Sequence, residues 1–340
     1  MVTIKDIAKM AGVSPSTVSR ALNDSPLISL ATRKYVQRLA AELGYERNEL
    51  ARGLVTGTSG ALGLIVPDIT NPFFAEIAKG VSDVAHAHGY GVLLCTTEED
   101  LDKETRYIRF LRRKRVDGLI LCAVTVDDPN LSELLRHSIP FVLVSRLVRG
   151  FDVPFVVGDD KMGTRLALEH LIQLGHRRIA FIGGPPNVQS SQDRMEEFRK
   201  VLKEHGLRVR KNWAVFANFS QAAGREVAQQ LLKKRPRPSA IFAANDVIAL
   251  GVLEAAESLS ISIPEDLSLV GYDDISYAAL PRIQLTTVAQ PAYAMGQIAA
   301  EYLLRMRQGK APECLRCILP PRLVVRGTTA PAKGGKNVRF

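Results

Sequence analysis

Cysteine is scarce in this sequence. The 340 residues include four, at Cys95, Cys122, Cys314 and Cys317. That number and scatter exclude a disulfide framework. Cys95 and Cys122 sit inside apolar runs and read as small buried hydrophobes. Cys314 and Cys317 have the spacing of a metal or redox pair. No second Cys or His pair lies nearby, so incidental thiols and no metal site are expected. A long apolar run is missing as well. The longest charge-free stretch, Ile283–Ala300, contains three Gln, two Thr and Pro291, which is not a bilayer span. The amino terminus has no apolar signal segment and carries Lys5, Asp6 and Lys9 early. A cytoplasmic location and no membrane partner are the expectation. Catalytic signatures are lacking too. There is no GxxxxGK[ST], no GxGxxG after a strand, no HExxH and no GxSxG. Gly183-Gly184-Pro185-Pro186 is glycine-rich, but no Lys follows it.

What is present is a globular composition. Apolar residues make up 46% and charged residues 24%, enough for large cores in a chain long enough for two or three domains. The net charge is +10, which favours polyanionic partners such as nucleic acid. The excess is not concentrated at the front, however. Residues 1–59 hold eight Lys and Arg against five Asp and Glu, a net of +3, and the other +7 lies beyond them. DNA binding therefore has to be argued from local pattern.

The first sixty residues supply that pattern. Thr3-Ile4-Lys5-Asp6 has capping-box character, and Ile4, Ile7, Ala8 and Ala11 then share one helical face. Gly12 ends this helix. Ser14 can cap a second one, with Pro15 at its first position and Val18 and Leu22 facing inward. Two short helices separated by Gly12-Val13-Ser14 have the spacing of a helix-turn-helix. Ser29 can cap a third, with Val36, Leu39, Ala40 and Leu43 inward and Gly44 as its stop. The outward face of the second helix carries Ser16, Thr17, Ser19 and Arg20. Short hydroxyls and one guanidinium suit a DNA major groove, where Arg can grip guanine O6 and N7. The bland alternative is a solvated helical face.

Residues 57–60, Gly-Thr-Ser-Gly, read as a flexible joint. Beyond it, short apolar runs alternate with helical stretches. Leu62–Val66, Val92–Cys95, Leu119–Leu121 and Phe141–Val144 read as strands, with helices over Phe73–Ala87 and Lys103–Arg113 between them. The rhythm restarts after Gly158. Strands are expected at Ile179–Ile182, Ala240–Phe242 and Leu267–Val270. Helices are expected at Lys161–Leu174, Arg194–His205, Ala222–Leu232 and Val247–Leu259. This βαβ alternation predicts two consecutive open α/β lobes, each a doubly wound parallel sheet with helices on both faces.

Ligands of such sheets bind beyond the carboxyl ends of the strands. There the sequence places Asp68, Asn71, Phe73 and Phe74, then Ser145 and Arg146, then Asp159 and Asp160. Further along come Ser190 and Arg194, Asn245 and Asp246, and Asp273 and Asp274. Aromatics beside acids, amides and one or two Arg suit a neutral polyol, which stacks on rings and takes bidentate hydrogen bonds. Singly, each could instead be a helix cap or turn residue, Asn71 and Asp246 among them.

The stretch from Thr3 to Asn23, with Glu42-Leu-Gly-Tyr45 and Asn48-Glu-Leu-Ala-Arg-Gly-Leu54, resembles the headpiece of the lactose/purine repressor family, and the resemblance runs through the core to about Arg326. It implies a homodimeric bacterial repressor that binds palindromic operator DNA and a small-molecule effector, with no cofactor. The headpiece would occupy residues 1–47, a hinge helix and linker 48–60, and a two-lobed core 61–330, with 331–340 a loose tail. The core would divide into about 61–159 plus 291–319 and about 161–289 plus 321–330. The DNA-binding set implied is Thr3, Ser14, Pro15, Ser16, Thr17, Ser19, Arg20, Asn23, Asn48, Arg52 and Leu54. Pro15, Ser16 and Arg20 would read bases, and Leu54 would enter the minor groove as a wedge. The effector set implied is Asn71, Phe73, Phe74, Ser145, Arg146, Asp159, Ser190, Arg194, Phe219, Asn245, Asp246, Asp273 and Gln290.

Four departures from the family pattern stand out. Gly53 replaces a more usual Ala or Ser and weakens the hinge helix. Arg47 stands where many relatives have Pro. Val188 falls where purine-binding relatives carry Arg, which argues against a purine. Ser145 replaces a frequent Asp and removes one hydroxyl acceptor. A sugar or sugar derivative is the expected effector. The rival readings are a cytoplasmic sugar-binding protein and an enzyme on the same fold, and both leave the helix-turn-helix unexplained.

Overall fold

The computed structural model describes residues 2–45, 58–148, 150–310 and 316–333. The chain divides into two compact units, Met1–Ser59 and Gly60–Phe340. The first holds three helices, α1 (Ile4–Ala11), α2 (Pro15–Leu22) and α3 (Leu30–Glu42). A full capping box starts α1. The Thr3 hydroxyl accepts from the Asp6 amide at 3.4 Å, and the Asp6 carboxylate accepts from the Thr3 amide at 2.9 Å. Gly12 ends α1 with φ 65°, a left-handed conformation that glycine adopts without a Cβ penalty. Ser14 then accepts from the Thr17 amide at 3.1 Å, with Pro15 at the first helical position. Ser29 does the same for α3 through Thr32. The three helices close on Ile7, Ala8, Val18, Ala21, Leu22, Val36 and Ala40.

The second unit contains two six-stranded sheets. The first joins β1 (Ala61–Val66), β2 (Gly91–Thr96), β3 (Gly118–Leu121), β4 (Phe141–Val144), β5 (Phe155–Gly158) and β11 (Arg316–Leu319), in the order β11-β5-β4-β3-β1-β2. All of its pairings are parallel. The second joins β6 (Ile179–Gly183), β7 (Ala214–Phe216), β8 (Ala240–Ala243), β9 (Ser268–Asp273), β10 (Thr286–Ala289) and β12 (Arg322–Val324), in the order β12-β10-β9-β8-β6-β7. There β12 alone runs antiparallel. The central strands are buried apolar runs, as sheets covered on both faces require.

Between the strands lie α4 (Pro72–Ala87), α5 (Leu101–Arg113), α6 (Pro129–Arg136), α7 (Asp160–Gln173), α8 (Gln189–Glu204), α9 (Gln221–Lys233), α10 (Asp246–Ser258) and α11 (Ala292–Arg307). The chain passes between lobes three times: after β5, after β10, and between β11 and β12. Through the second passage α11 returns to the first lobe and packs on α4. Contact is close at Gly80 and Gly296, where an added Cβ would collide with the facing backbone at Tyr293 and Ile77.

Several elements differ from the sequence expectation. Helix α8 begins at Gln189, five residues before Arg194, so Ser190 lies in its first turn and not in a loop. The polar run Gln189-Ser-Ser-Gln-Asp carries no apolar periodicity to announce it. Helix α6 and helix α11 were not anticipated. Strands β5, β7, β10, β11 and β12 were also not named from sequence; all are short, and β7, β11 and β12 are partly exposed as well.

Candidate functional sites

The second helix of the first unit presents one polar face. Ser14, Pro15, Ser16, Arg20 and Asn23 are exposed, and Thr17 and Ser19 are half-buried. The Ser14 hydroxyl lies 2.7 Å from that of Ser16 and 2.8 Å from that of Thr17. These hydroxyls form a linked row at the start of α2, beside amides that no helical carbonyl can satisfy. Among the described residues no side chain pairs with Arg20, so its guanidinium projects open beside that row. Thr3 is exposed, and its hydroxyl also donates to Asp6 at 2.7 Å. Asn48, Arg52 and Leu54 lie outside the described residues, as do Arg47 and Gly53.

The second site is the junction of the two lobes, at the carboxyl ends of their strands. On the first lobe Asn71 caps α4, accepting from the Phe73 amide at 3.1 Å. Phe73 and Phe74 meet edge to face at 5.1 Å and belong to that lobe's buried core. Ser145 leaves β4 with φ 67°, which aims the next residue, Arg146, into the junction. Arg146 is buried and grips Glu99 with both terminal nitrogens, at 2.7 and 2.5 Å. Its guanidinium carbon is 5.8 Å from the Phe219 ring centre on the other lobe. Behind it, Glu104 and Asp128 are buried together. Burial and the neighbouring Asp128 push the Glu104 carboxyl up to about 8.

On the second lobe Arg194 is buried and donates to Asp160 from Nε at 2.8 Å, and again to the Ala244 carbonyl. Its guanidinium stacks on Tyr272, 3.7 Å from the ring centre. Ser190 is buried one turn earlier on the same helix. Asp273 ends β9 with φ 110° and accepts from Gln290 Nε2 at 2.8 Å. Burial pushes its carboxyl up to about 7, against the pull of Arg194.

The remaining candidates spend their side chains locally. Asn245 caps α10 through the Ile248 amide at 2.8 Å, and Asp159 caps α7 through Met162 at 2.8 Å. Asp246 does not cap, contrary to one of its expected roles. It is fully buried and accepts from Thr287 Oγ1 at 2.6 Å and the Ile275 amide at 2.9 Å. Burial and the nearby Asp273 raise its carboxyl well above the usual range.

Sequence reading missed Glu99 and Tyr272. The signal for Glu99 was available, because it follows β2 at the same sheet edge and a buried Arg146 needs a carboxylate. Tyr272 gave no signal, because its place inside a strand makes it look like core.

Among the described residues no three His, Cys, Asp or Glu side chains gather as a metal site. Cys317 is half-buried in β11, and Cys314 lies outside the described residues. No described helix is long and apolar enough to cross a membrane.

The described geometry has counterparts among known proteins. Residues 3–48 match the profile of bacterial regulatory proteins of the lacI family, and residues 168–329 match a periplasmic binding protein-like domain. The ribose operon repressor of Halalkalibacterium halodurans is 40% identical over 337 residues, covering 99% of each chain. A lac repressor dimer bound to operator and the anti-inducer ONPF superposes with a TM-score of 0.87 at 29% identity, covering 97% of this chain and 99% of that one. A LacI family regulator from Enterococcus faecium with bound ribose gives 0.70 at 33% identity, over 80% and 99%.

Proposed function

The chain belongs to the LacI family of bacterial regulatory proteins, and from that premise we propose that it is a transcriptional repressor that binds operator DNA through α2 and senses a sugar-like molecule between the lobes of its core. The observation that carries this reading is the pairing of two different sites in one chain. One is a capped helix-turn-helix with an open Arg20. The other is the lobe junction, where Arg146 reaches Phe219 of the facing lobe and Arg194 acts on Asp273. Ring faces with buried donors and acceptors suit a hydroxylated ligand. The relatives are regulators, and the reading includes no catalytic step.

Dimerisation belongs to the same proposal. Strand β2 is the outer edge of the first sheet, and it leaves Leu93 39% and Leu94 44% exposed. An apolar sheet edge of that kind calls for cover, and a second copy supplies it. Two copies present two recognition helices, which suits a palindromic operator. The bacterial cytoplasm is the proposed location. The effector changes DNA affinity, and by linkage operator changes effector affinity by the same factor.

The test is calorimetry of the full chain against neutral sugars and nucleosides, alone and with a duplex selected from a random pool. Binding of one sugar, altered by the duplex, supports the reading. A chain that selects no duplex and binds no sugar would overturn it.

A further inference from the structure

Both cationic side chains at the lobe junction are already paired. Arg146 gives its two terminal nitrogens to the two oxygens of Glu99, and a third bond to the Ala123 carbonyl at 3.3 Å. Arg194 is engaged by Asp160 and by the Ala244 carbonyl. A phosphate or carboxylate gains most from a guanidinium whose fork is open to it. Neither fork is open here. An anionic ligand group would have to displace a carboxylate from either guanidinium.

The two pairs are not equivalent. The Asp160 side chain is 12% exposed and its arginine 6%, whereas Glu99 is 33% exposed over an Arg146 that is 2% exposed. Glu99 sits on the loop after β2 with φ 62°. Its carboxylate thus caps the buried guanidinium from the open side and keeps lone pairs free for ligand hydroxyls. Ser145, the chain neighbour of Arg146, offers only a hydroxyl. Among the described residues, Glu99 is the carboxylate bonded to the Arg146 guanidinium.

Resting on the reading of this junction as the effector site, we propose that Glu99 sets the charge class of the effector: it neutralises Arg146, admits an uncharged polyol and rejects a phosphorylated or carboxylated sugar. A polyol takes the outer lone pairs of Glu99 as acceptors and leaves the fork closed. A sugar phosphate must break the fork and leave Glu99 unpaired.

The test is calorimetry of the full chain with ribose, glucose and cellobiose, and with ribose 5-phosphate, glucose 6-phosphate and gluconate. The parent is expected to bind one or more neutral sugars at least about tenfold more tightly than the matching anion. Glu99→Gln opens the fork and should shrink that ratio by about tenfold. Glu99→Asp, which retracts the carboxylate, should move it the same way by less, and it serves if the first variant does not fold. The double variant Glu99→Gln with Arg146→Gln should restore the preference for the neutral sugar. An anion bound by the parent as tightly as its neutral counterpart overturns the proposal. So does an unchanged ratio in folded Glu99→Gln or Glu99→Asp protein. If the parent selects a duplex but binds no member of the set, the effector-site reading itself fails, and this proposal with it.

Discussion

The guanidinium carbon of Arg194 rests 3.7 Å from the centre of the Tyr272 ring. The stack covers one face of the cation, and Asp160 takes its edge at 2.7 Å. The Asp160 carboxyl is pushed up by burial and pulled back by Arg194. Ring, cation and acid therefore form a unit that joins β9 to the start of α7, where the chain enters the second lobe.

Removing the cation should strand the acid. Arg194→Leu is expected to cost about 3–5 kcal/mol, since breaking a buried pair leaves an uncompensated charge. Adding Asp160→Asn should recover part of that loss. Urea denaturation of the single and double variants measures both, and equal losses would contradict the pairing.

The open Arg20 should matter only for sequence-specific binding. Arg20→Ala is expected to lose about 1–3 kcal/mol of preference for the selected duplex over a random one. Competition gel shifts at fixed salt report the ratio, and an undiminished preference would remove Arg20 from base reading.

Glu104 should make the core less stable as pH rises. Its folded value of about 8 stands above the ordinary glutamate value of 4.5. The native state thus holds a proton that the unfolded chain releases between those values, and stability present below about 4.5 is lost as pH climbs to about 8. Glu104→Gln should flatten this slope and be more stable than the parent at pH 8.5. Urea midpoints at pH 6 and 8.5 decide the matter.

His176 works in the opposite direction. It is buried, with its ring nitrogens on the hydroxyls of Ser239 and Ser268 and on the Ala330 carbonyl. Burial lowers its value below the ordinary 6.5. The neutral ring is therefore favoured in the native state, and stability present above about 6.5 is lost as pH falls below it. The protection of amides in residues 327–332, corrected for the intrinsic pH dependence of exchange, should fall between pH 7 and 5. A parallel change in His176→Gln protein would show that another group is responsible.

Much of the local structure was legible from the chain alone. Thr3, Gly12, Ser14, Pro15 and Ser29 each act within three or four residues, so capping chemistry read from sequence reappears in the bonds. The apolar runs of β1, β3, β4, β6 and β8 declared themselves because strands buried on both faces have almost no polar freedom. Helix α11 did not, since its Ala and Gly suit close packing on α4 and give only a weak apolar stripe.

The pairings at the lobe junction were decided by the tertiary structure. Sequence placed Arg146 and Arg194 beside the cleft, but 35 acidic residues compete for two guanidiniums. The partners, Glu99 and Asp160, lie 47 and 34 positions away along the chain. Those separations are bridged only when the parallel sheet brings the carboxyl ends of β2 and β4 to one edge, with β1 and β3 between them, and α7 packs against α8. Local chemistry thus determined what each segment could become, because caps and periodicity act over a few residues. The charge state of the candidate site was left to the fold, because a buried charge is settled by whichever partner long-range packing delivers to it.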